Sequence, residues 1–338
     1  MTRVKGRILV ILLNYKTQKM TADAMHRTRQ AMRGLDGDIL IVDNDSGDCS
    51  FEYLQNELKN LNSKDDLAQC SIVQSDHNGG YGYGNNVGIR FGLSRDEYDY
   101  FYIQNSDAFP SDGAISHLKE FLDANPTAGF AGSHLHGKDG HPHTAQFRFP
   151  SLASEFEGSA NIGPITKILR RYQVPILDLS GTEPTQVEWI AGASMMVRKQ
   201  VFEDVGLFDE NYFLYFEEVD LCRRAREKGW TTHYVPLSTV VHLGSVSTGM
   251  GTWRRIPQYW LDSRLYYYQK HFGKLYAVLA TMLLFVGGSL ARFRYLVGGP
   301  RHTGPNGFQA DLLAHFIRNI WRPRPPAVTS KPVVPIIE

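Results

Sequence analysis

RILVILLNY, Arg7 to Tyr15, carries an unbroken apolar run from Ile8 to Leu13. So short a run reads as a strand buried on both faces, as strands are in a parallel sheet. The leading MTRVKGRILVILLNYKTQ is basic and then apolar. It is too short for a secretory signal and lacks a small-residue cleavage site, so a first buried strand is expected. Working outward, a helix is expected from about Thr21 to Met32. DILIVDNDS (38–46) reads as a second strand ending in acids and Ser46, and SIVQSDHNGG (71–80) as a short third strand running into glycines. NNVGIRFGL (85–93) reads as helical, DYFYIQNSDAF (99–109) as a fourth strand ending in an acid, and about Asp112 to Leu122 as a helix. This alternation predicts a mostly parallel, Rossmann-like sheet with helices on both faces. Ligands bind such sheets at the carboxyl ends of strands, where Asp43, Asp45 and Asp107 fall.

Bulk properties are compatible with this plan. The 338 residues suit one large α/β domain or one domain with an appendage. Apolar residues make up 42% and charged ones 21%, enough for a real core and against global disorder. A net charge of +1 gives no argument for nucleic acid. The three cysteines, Cys49, Cys70 and Cys222, show no metal spacing, and are expected as reduced thiols in a cytosolic setting.

From about Ser133 to Pro184 the pattern weakens, and the stretch is expected to be variable surface. Its SHLHGKDGHPHTAQF (133–147) fits either an acceptor site or the surface. VEWIAGASMMVRKQVF (187–202) restores a strand and a helix, and THYVPLSTVVHLGS (232–245) gives short strands ending at His242.

YFLYFEEVDLCRRAREKGW (212–230) places three acids within four positions behind aromatics. A helix from near Glu217 to Gly229 puts Glu217, Asp220, Arg224 and Lys228 on one face, expected as a solvated, self-paired stripe. Glu218 shares the other face with Leu221, Cys222 and Ala225 and points inward. Burial would raise its pKa and the helix N-terminus would lower it. Spacing alone leaves open whether these acids do chemistry or favour the helix dipole. HNGGYGYGNNVG (77–88) holds five glycines, which suit either a flexible turn or close backbone approach to a ligand. No Gly-Lys-Ser/Thr follows, so it is not a P-loop, and its place after the third strand argues against a dehydrogenase. Asp107 fits a helix cap or a hard-metal ligand, and His242 a structural histidine or a second ligand. Arg254 and Arg255, in STGMGTWRRIP (247–257), fit a loop closing over a diphosphate or an ordinary basic loop.

The C-terminal region differs in kind. LYAVLATMLLFVGGSLA (275–291) is 17 residues without a charge, at the lower limit for a membrane span. Phe308, Leu312, Phe316 and Ile320 recur at fours beside Arg318 and Trp321, an amphipathic helix with a basic flank. Surface-lying, spanning and protein-buried placements all fit. Residues 323–338 are expected as a disordered tail.

Taken in order, these pieces resemble glycosyltransferase family 2, particularly its bacterial rhamnosyltransferase-like members. The order is Asn14-Tyr15, Asp43-Asn44-Asp45-Ser46, Asn78-Gly79-Gly80-Tyr81-Gly82 with Asn85-Asn86, Asn105-Ser106-Asp107, Trp189-Ile190-Ala191-Gly192-Ala193, Phe208-Asp209-Glu210, Phe216-Glu217-Glu218-Val219-Asp220-Leu221 and His242. The resemblance covers about residues 7 to 272. It implies a GT-A domain over 1–272, followed by a membrane-associating helical region over 273–322. It implies inverting transfer from a nucleotide-diphospho-sugar, with dTDP-L-rhamnose first among donors and Mg²⁺ or Mn²⁺ as the metal. The implied acceptor is lipid-linked or an oligosaccharide, and the implied location is the cytoplasmic face of the cell membrane. Carried over by position, Glu218 is the general base, supported by Glu217 and Asp220. Asp107 and His242 hold the metal, with Asn105 where an Asp often stands. Asp43 holds the donor base, and Asn14, Asp45, Gly79, Gly80, Asn86, Trp189 and Gly192 line the cleft. An inactive nucleotide-sugar-binding scaffold is the alternative from another class. A sugar-nucleotide nucleotidyltransferase is disfavoured, because LLNYKTQKM (12–20) lacks a glycine-rich basic signature.

Overall fold

The computed structural model describes residues 6–61, 68–177, 181–244, 253–299 and 305–322. The expected tail, 323–338, and residues 247–252 of the glycine-rich loop lie outside the described residues. The first half alternates β1 (Ile8–Asn14), α1 (Gln18–Ala31), β2 (Gly37–Asp43), α2 (Ser50–Leu61), β3 (Gln69–Gln74), α3 (Gly80–Arg95) and β4 (Tyr100–Asn105). β1 pairs in parallel with β2 and β4, and β2 with β3. The chain steps one way from β1 to β3, then returns to β4 on the other side of β1. The sheet therefore has its switch point between β1 and β4, where a crevice opens at the strands' carboxyl ends.

The apolar run works as a two-faced strand. Leu9 and Ile11 join one core cluster with Ile89 of α3, while Ile8, Val10 and Leu12 join another with Met25 of α1. All five are fully buried. Truncating one of them to alanine should cost about 2–5 kcal/mol.

The glycine-rich stretch is not a loop. It forms the first turns of α3, and Gly84, Gly88 and Gly92 present one helix face to the sheet. A Cβ on Gly84 would lie 2.5 Å from Leu13, and one on Gly88 would lie 2.7 Å from Ile11. The glycines let α3 lie directly on β1. Gly84 and Gly88 thus serve helix–sheet packing, while Gly80 and Gly82 meet Phe213 and Phe208 of the segment before α8.

The second half is mixed. β5 (Ala108–Pro110), α4 (Ala114–Ala124), β6 (Ala128–His136), β7 (Pro142–His143), β8 (Gln146–Phe147), α5 (Leu152–Ala160) and α6 (Gly163–Leu169) come first. β9 (Thr185–Val187), β10 (Trp189–Ile190), β11 (Ser194–Arg198), α7 (Lys199–Val205), α8 (Glu217–Glu227) and β12 (Thr231–His242) follow. The main sheet runs β3-β2-β1-β4-β11-β6-β12-β5, with β11 antiparallel to both neighbours. β6 is a central strand, and its first residues lie before the stretch expected as variable surface. β12 is one strand with irregular register, not several short ones.

α9 (Gln258–Phe272) ends at Gly273, and α10 (Lys274–Leu296) and α11 (Phe308–Asn319) close the described chain. Gly287 fixes the crossing of α10 on α5, since a Cβ there would lie 2.0 Å from Ser159 Oγ. A buried Arg264 of α9 bridges the helices, meeting Glu155 of α5 at 2.9 Å and donating to Thr281 of α10 at 3.2 Å. α10 is long and apolar enough to cross a membrane, yet only a third of its most apolar window is buried in protein. Its outward stripe includes Leu275, Leu279, Met282, Val286, Phe293 and Val297, and α11 adds Leu313, Ile317 and Trp321.

Candidate active site

A cavity of about 1900 Å³ opens at the switch point. The ends of β1 and β4, the start of α3, the segment around β10 and the start of α8 all line it.

The acids sit on a strained turn. Tyr215 and Phe216 both adopt positive φ, 70° and 73°, which bulky residues rarely do. The turn is clamped by α3. Tyr81 N–H donates to Phe213 O at 3.0 Å, and Gly80 lies so close that its Cβ would meet that oxygen at 1.8 Å. Gly80, at φ 89°, therefore has to be glycine on both steric counts. The turn delivers Glu217 and Glu218 into the cavity at the N-terminus of α8.

The three acids then part company. Glu218 is half-buried and accepts from Gly192 N–H at 3.3 Å. Burial raises its pKa, opposed by its own and the Gly192 backbone N–H groups. Glu217 is buried, and its Oε2 has no hydrogen-bond partner among the described residues. Burial, then the neighbouring Glu218, pushes its pKa well above the ordinary range. Asp220 does not line the cavity. It is fully buried and meets Arg224 at 2.7 Å, Lys270 at 2.6 Å and His271 at 2.8 Å. Burial alone would raise its pKa, but His271, Arg224 and Lys270 together hold it far below the usual range. The expected solvated stripe is thus corrected. Glu217 and Asp220 are both buried, because α9 and the cavity wall cover that face.

Gly192 is the contact point for the base candidate. Tyr81 Oη donates to Gly192 O at 2.7 Å, and a Cβ on Gly192 would lie 2.2 Å from Tyr81 Oη and 2.9 Å from Glu218 Oε1. Trp189 lines the same wall, stacked on Phe147 at 4.1 Å and donating from Nε1 to Arg148 O at 2.9 Å. Tyr81 and Phe147 went unread as site residues. Tyr81 lay inside the glycine motif, and Phe147 paired with Trp189 only through the β8–β10 ladder.

Asp107 and His242 come together in the cavity wall. His242 Nε2 lies 3.3 Å from Asp107 Oδ1, because β12 pairs antiparallel with β5 immediately after Asp107. Asn105 lines the cavity beside them. From the histidine-rich stretch, His143 also lines the cavity, its ring 6.1 Å from that of His242, while His141 is exposed. A carboxylate and an imidazole suit a hard or borderline divalent ion. No cluster of three metal-ligating side chains occurs among the described residues.

Several expected ligand contacts are placed differently. Asn86 is buried away from the cavity and clamps the 208–210 segment, donating to Phe208 O at 2.9 Å and Glu210 Oε1 at 2.8 Å. Asp43 is buried at the end of β2, where Asn14 donates to it at 2.6 Å and Ser46 Oγ at 2.5 Å. Neither Asn14 nor Asp43 is among the lining residues; Asn44 reaches the cavity and donates to Gly80 O at 3.0 Å. Asp45 is exposed at φ 50° and Gly79 caps α3, both off the lining. Arg254 and Arg255 also stay off it. Arg255 pairs with Asp311 of α11, and Arg254 O accepts from Asn306 N–H at 2.9 Å.

A Rossmann-like mixed sheet with an acid-bearing helix and an Asp–His pair at its switch point defines a GT-A fold. Solved structures show the same fold. A mannosyltransferase from Pyrobaculum calidifontis, in complex with GDP-Man and Mn²⁺, superposes with a TM-score of 0.58 at 14% identity, over 94% of this chain and 88% of that one. GalNAc-T7 with UDP, GalNAc and Mn²⁺ gives 0.55 at 13% identity, over 97% and 62%. The chain belongs to glycosyl transferase family 2, whose model matches residues 9–206, and a family 2-like model matches 169–260. An N-acetylglucosaminyl-diphospho-decaprenol L-rhamnosyltransferase of Mycobacterium tuberculosis is 30% identical over 203 residues, 59% of this chain. That match spans 64% of the relative's length, so just under two thirds of it has a counterpart here. The rhamnosyltransferase WbbL of Escherichia coli is 29% identical over 218 residues, 56% of this chain and 78% of that one.

Proposed function

We propose that this protein is an inverting glycosyltransferase. It moves L-rhamnose from dTDP-L-rhamnose to a sugar hydroxyl on a polyprenyl-diphosphate acceptor. The observation that carries the reading is the meeting of Glu218 with the Asp107–His242 pair in one cavity. Family membership and the names of the mycobacterial and Escherichia coli relatives support the sugar and the lipid-linked acceptor.

Glu218 takes the proton of the acceptor hydroxyl. Its raised proton affinity suits a general base, and the Gly192 N–H fixes Oε1 so that Oε2 takes the proton. Glu217, holding its proton beside it, adds no second negative charge to the site. Asp107 and His242 would hold Mg²⁺ or Mn²⁺, whose charge would offset that of the diphosphate leaving group. The Trp189–Phe147 stack forms an apolar wall for the sugars. Attack comes from the face opposite the leaving group and inverts the anomeric carbon.

We assign the protein to the cytoplasmic face of the membrane. The outward apolar stripe of α10 and α11 would lie among the lipids, with Lys274, Arg318 and Arg322 available to anionic headgroups. One face of α10 packs on α5 and α9, which favours a surface-lying helix over a span. A panel of nucleotide sugars with Mn²⁺ and a polyprenyl-diphosphate acceptor tests the function. Transfer from dTDP-L-rhamnose is expected. Binding without transfer from any donor would favour the scaffold alternative.

A further inference from the structure

The cavity is larger than one nucleotide sugar requires. Pockets for small ligands span roughly 300–1,000 Å³, against about 1900 Å³ here. The lining continues from the acids onto residues of α5, α10 and α11, an arm beyond the catalytic end. Gly158 and Ser159 of α5 line one wall of this arm, and Leu284, Gly288, Arg292 and Tyr295 of α10 line the other.

Three features of the arm point to one occupant. Leu284, Gly288, Tyr295 and Leu296 of α10 and Phe308 of α11 give the arm a mainly apolar lining, although it is continuous with the charged catalytic end. Arg292 offers a guanidinium that no carboxylate pairs among the described residues, and its one protein contact donates to Gln309 Oε1 at 3.1 Å. The arm ends where Tyr295 and Leu296 reach the exposed apolar face of α10. A headgroup entering at the acids would therefore meet a cation midway and an apolar exit beyond.

Building on the proposed transfer reaction, we infer that this arm is the acceptor's lipid subsite. Arg292 binds the acceptor diphosphate, and the proximal isoprene units lie in the trough between Gly158 and Gly288 before leaving along α10. A Cβ on Gly158 meets nothing within 4 Å, so no packing in the protein itself demands glycine.

That open space supplies a clean test. Full-length protein is given dTDP-L-rhamnose, Mn²⁺ and N-acetylglucosaminyl diphosphate carried on either decaprenol or geraniol, both in the same micelles. Wild type is expected to favour the decaprenyl acceptor. Gly158→Leu fills the trough from one side and Leu284→Phe from the other. Each is expected to lower the decaprenyl-to-geranyl ratio of kcat/KM by about tenfold, since each buried methylene lost counts. Arg292→Gln is expected to lower kcat/KM for both acceptors by about tenfold, as the loss of a charge-assisted phosphate contact does. Thermal midpoints serve as the folding check. Folded Gly158→Leu and Leu284→Phe proteins that keep the wild-type ratio within about twofold would overturn the subsite. Transfer by wild type to neither diphosphate lipid, with transfer to some other acceptor, would instead overturn the lipid-linked reading on which it rests.

Discussion

Glu218 and Asp220 stand two residues apart on the same helix, yet they belong to different regions of the molecule. Glu218 opens on the cavity, where burial without a cation raises its proton affinity. Asp220 faces α9, where Lys270, His271 and Arg224 surround it and lower its proton affinity. The first acid is the base of the proposed transfer, and the other holds α8 on α9 through Lys270 and His271. What separates them is the neighbouring element, which the spacing of acids along one helix does not reveal. Glu217 lies between the two cases, buried like Asp220 but with no cation beside it.

Substitutions at these positions should separate chemistry from stability. The largest effect is expected from Glu218→Gln. Loss of a general base should lower kcat by about 10²–10⁴-fold, with little change in thermal midpoint, measured by transfer rate and calorimetry. Asp220→Asn comes next and acts in the other currency. Breaking a buried ion network should cost about 3–5 kcal/mol of stability in denaturant titration. A folded Asp220→Asn protein at low temperature should keep more activity than Glu218→Gln; if it does not, the division between the two acids fails.

pH dependence sharpens the same contrast. Glu217's folded pKa is raised above the ordinary 4.5, so the stability linked to its proton is full below 4.5 and lost as pH rises through the folded value. Asp220's folded pKa is lowered from 3.8, so its contribution is full above 3.8 and lost as pH falls toward the folded value. Glu217→Gln should therefore raise the thermal midpoint near neutral pH by a few degrees, about the shift produced by one kcal/mol. No rise would mean that Glu217 is not held as the neutral acid. The smallest effect is expected from Arg255→Ala, because Arg255 faces Asp311 and solvent, outside the cavity. Its kcat/KM should stay within about twofold of wild type on the exposed-pair expectation; a loss above tenfold would return the 247–257 loop to the site.

The sequence made the first half of the sheet legible because β1, β2 and β4 are short apolar or aromatic runs that end at polar residues, and helical stretches separate them. Asp107, His242 and Glu218 were legible as well, each at the end of an element with a clear period. The rest depended on partners distant in the chain. Gly84, Gly88 and Gly92 recur at fours; the last two fell in the helix expected over 85–93, but the helix starts at Gly80, so its first turn was read as a turn or ligand loop. Asn86 is polar and sits near ligand-like residues, but its amide is spent on Phe208 and Glu210 more than a hundred residues away. Arg255 is spent likewise on Asp311. β6 was missed because His134 and His136 interrupt its apolar pattern where the strand reaches the cavity side. The second arm of the cavity forms only when α10 crosses α5, and no local pattern encodes that crossing.

The central claim is that Glu218 does chemistry and does not bind the donor. Calorimetric titration of dTDP-L-rhamnose with Mn²⁺ into wild type and Glu218→Gln, with transfer measured on the same samples, tests it most directly. The account predicts donor affinities within about twofold of each other and transfer by wild type alone, as for loss of a group that acts only in the transition state. Undiminished transfer by Glu218→Gln, or loss of donor binding in that variant, would contradict it.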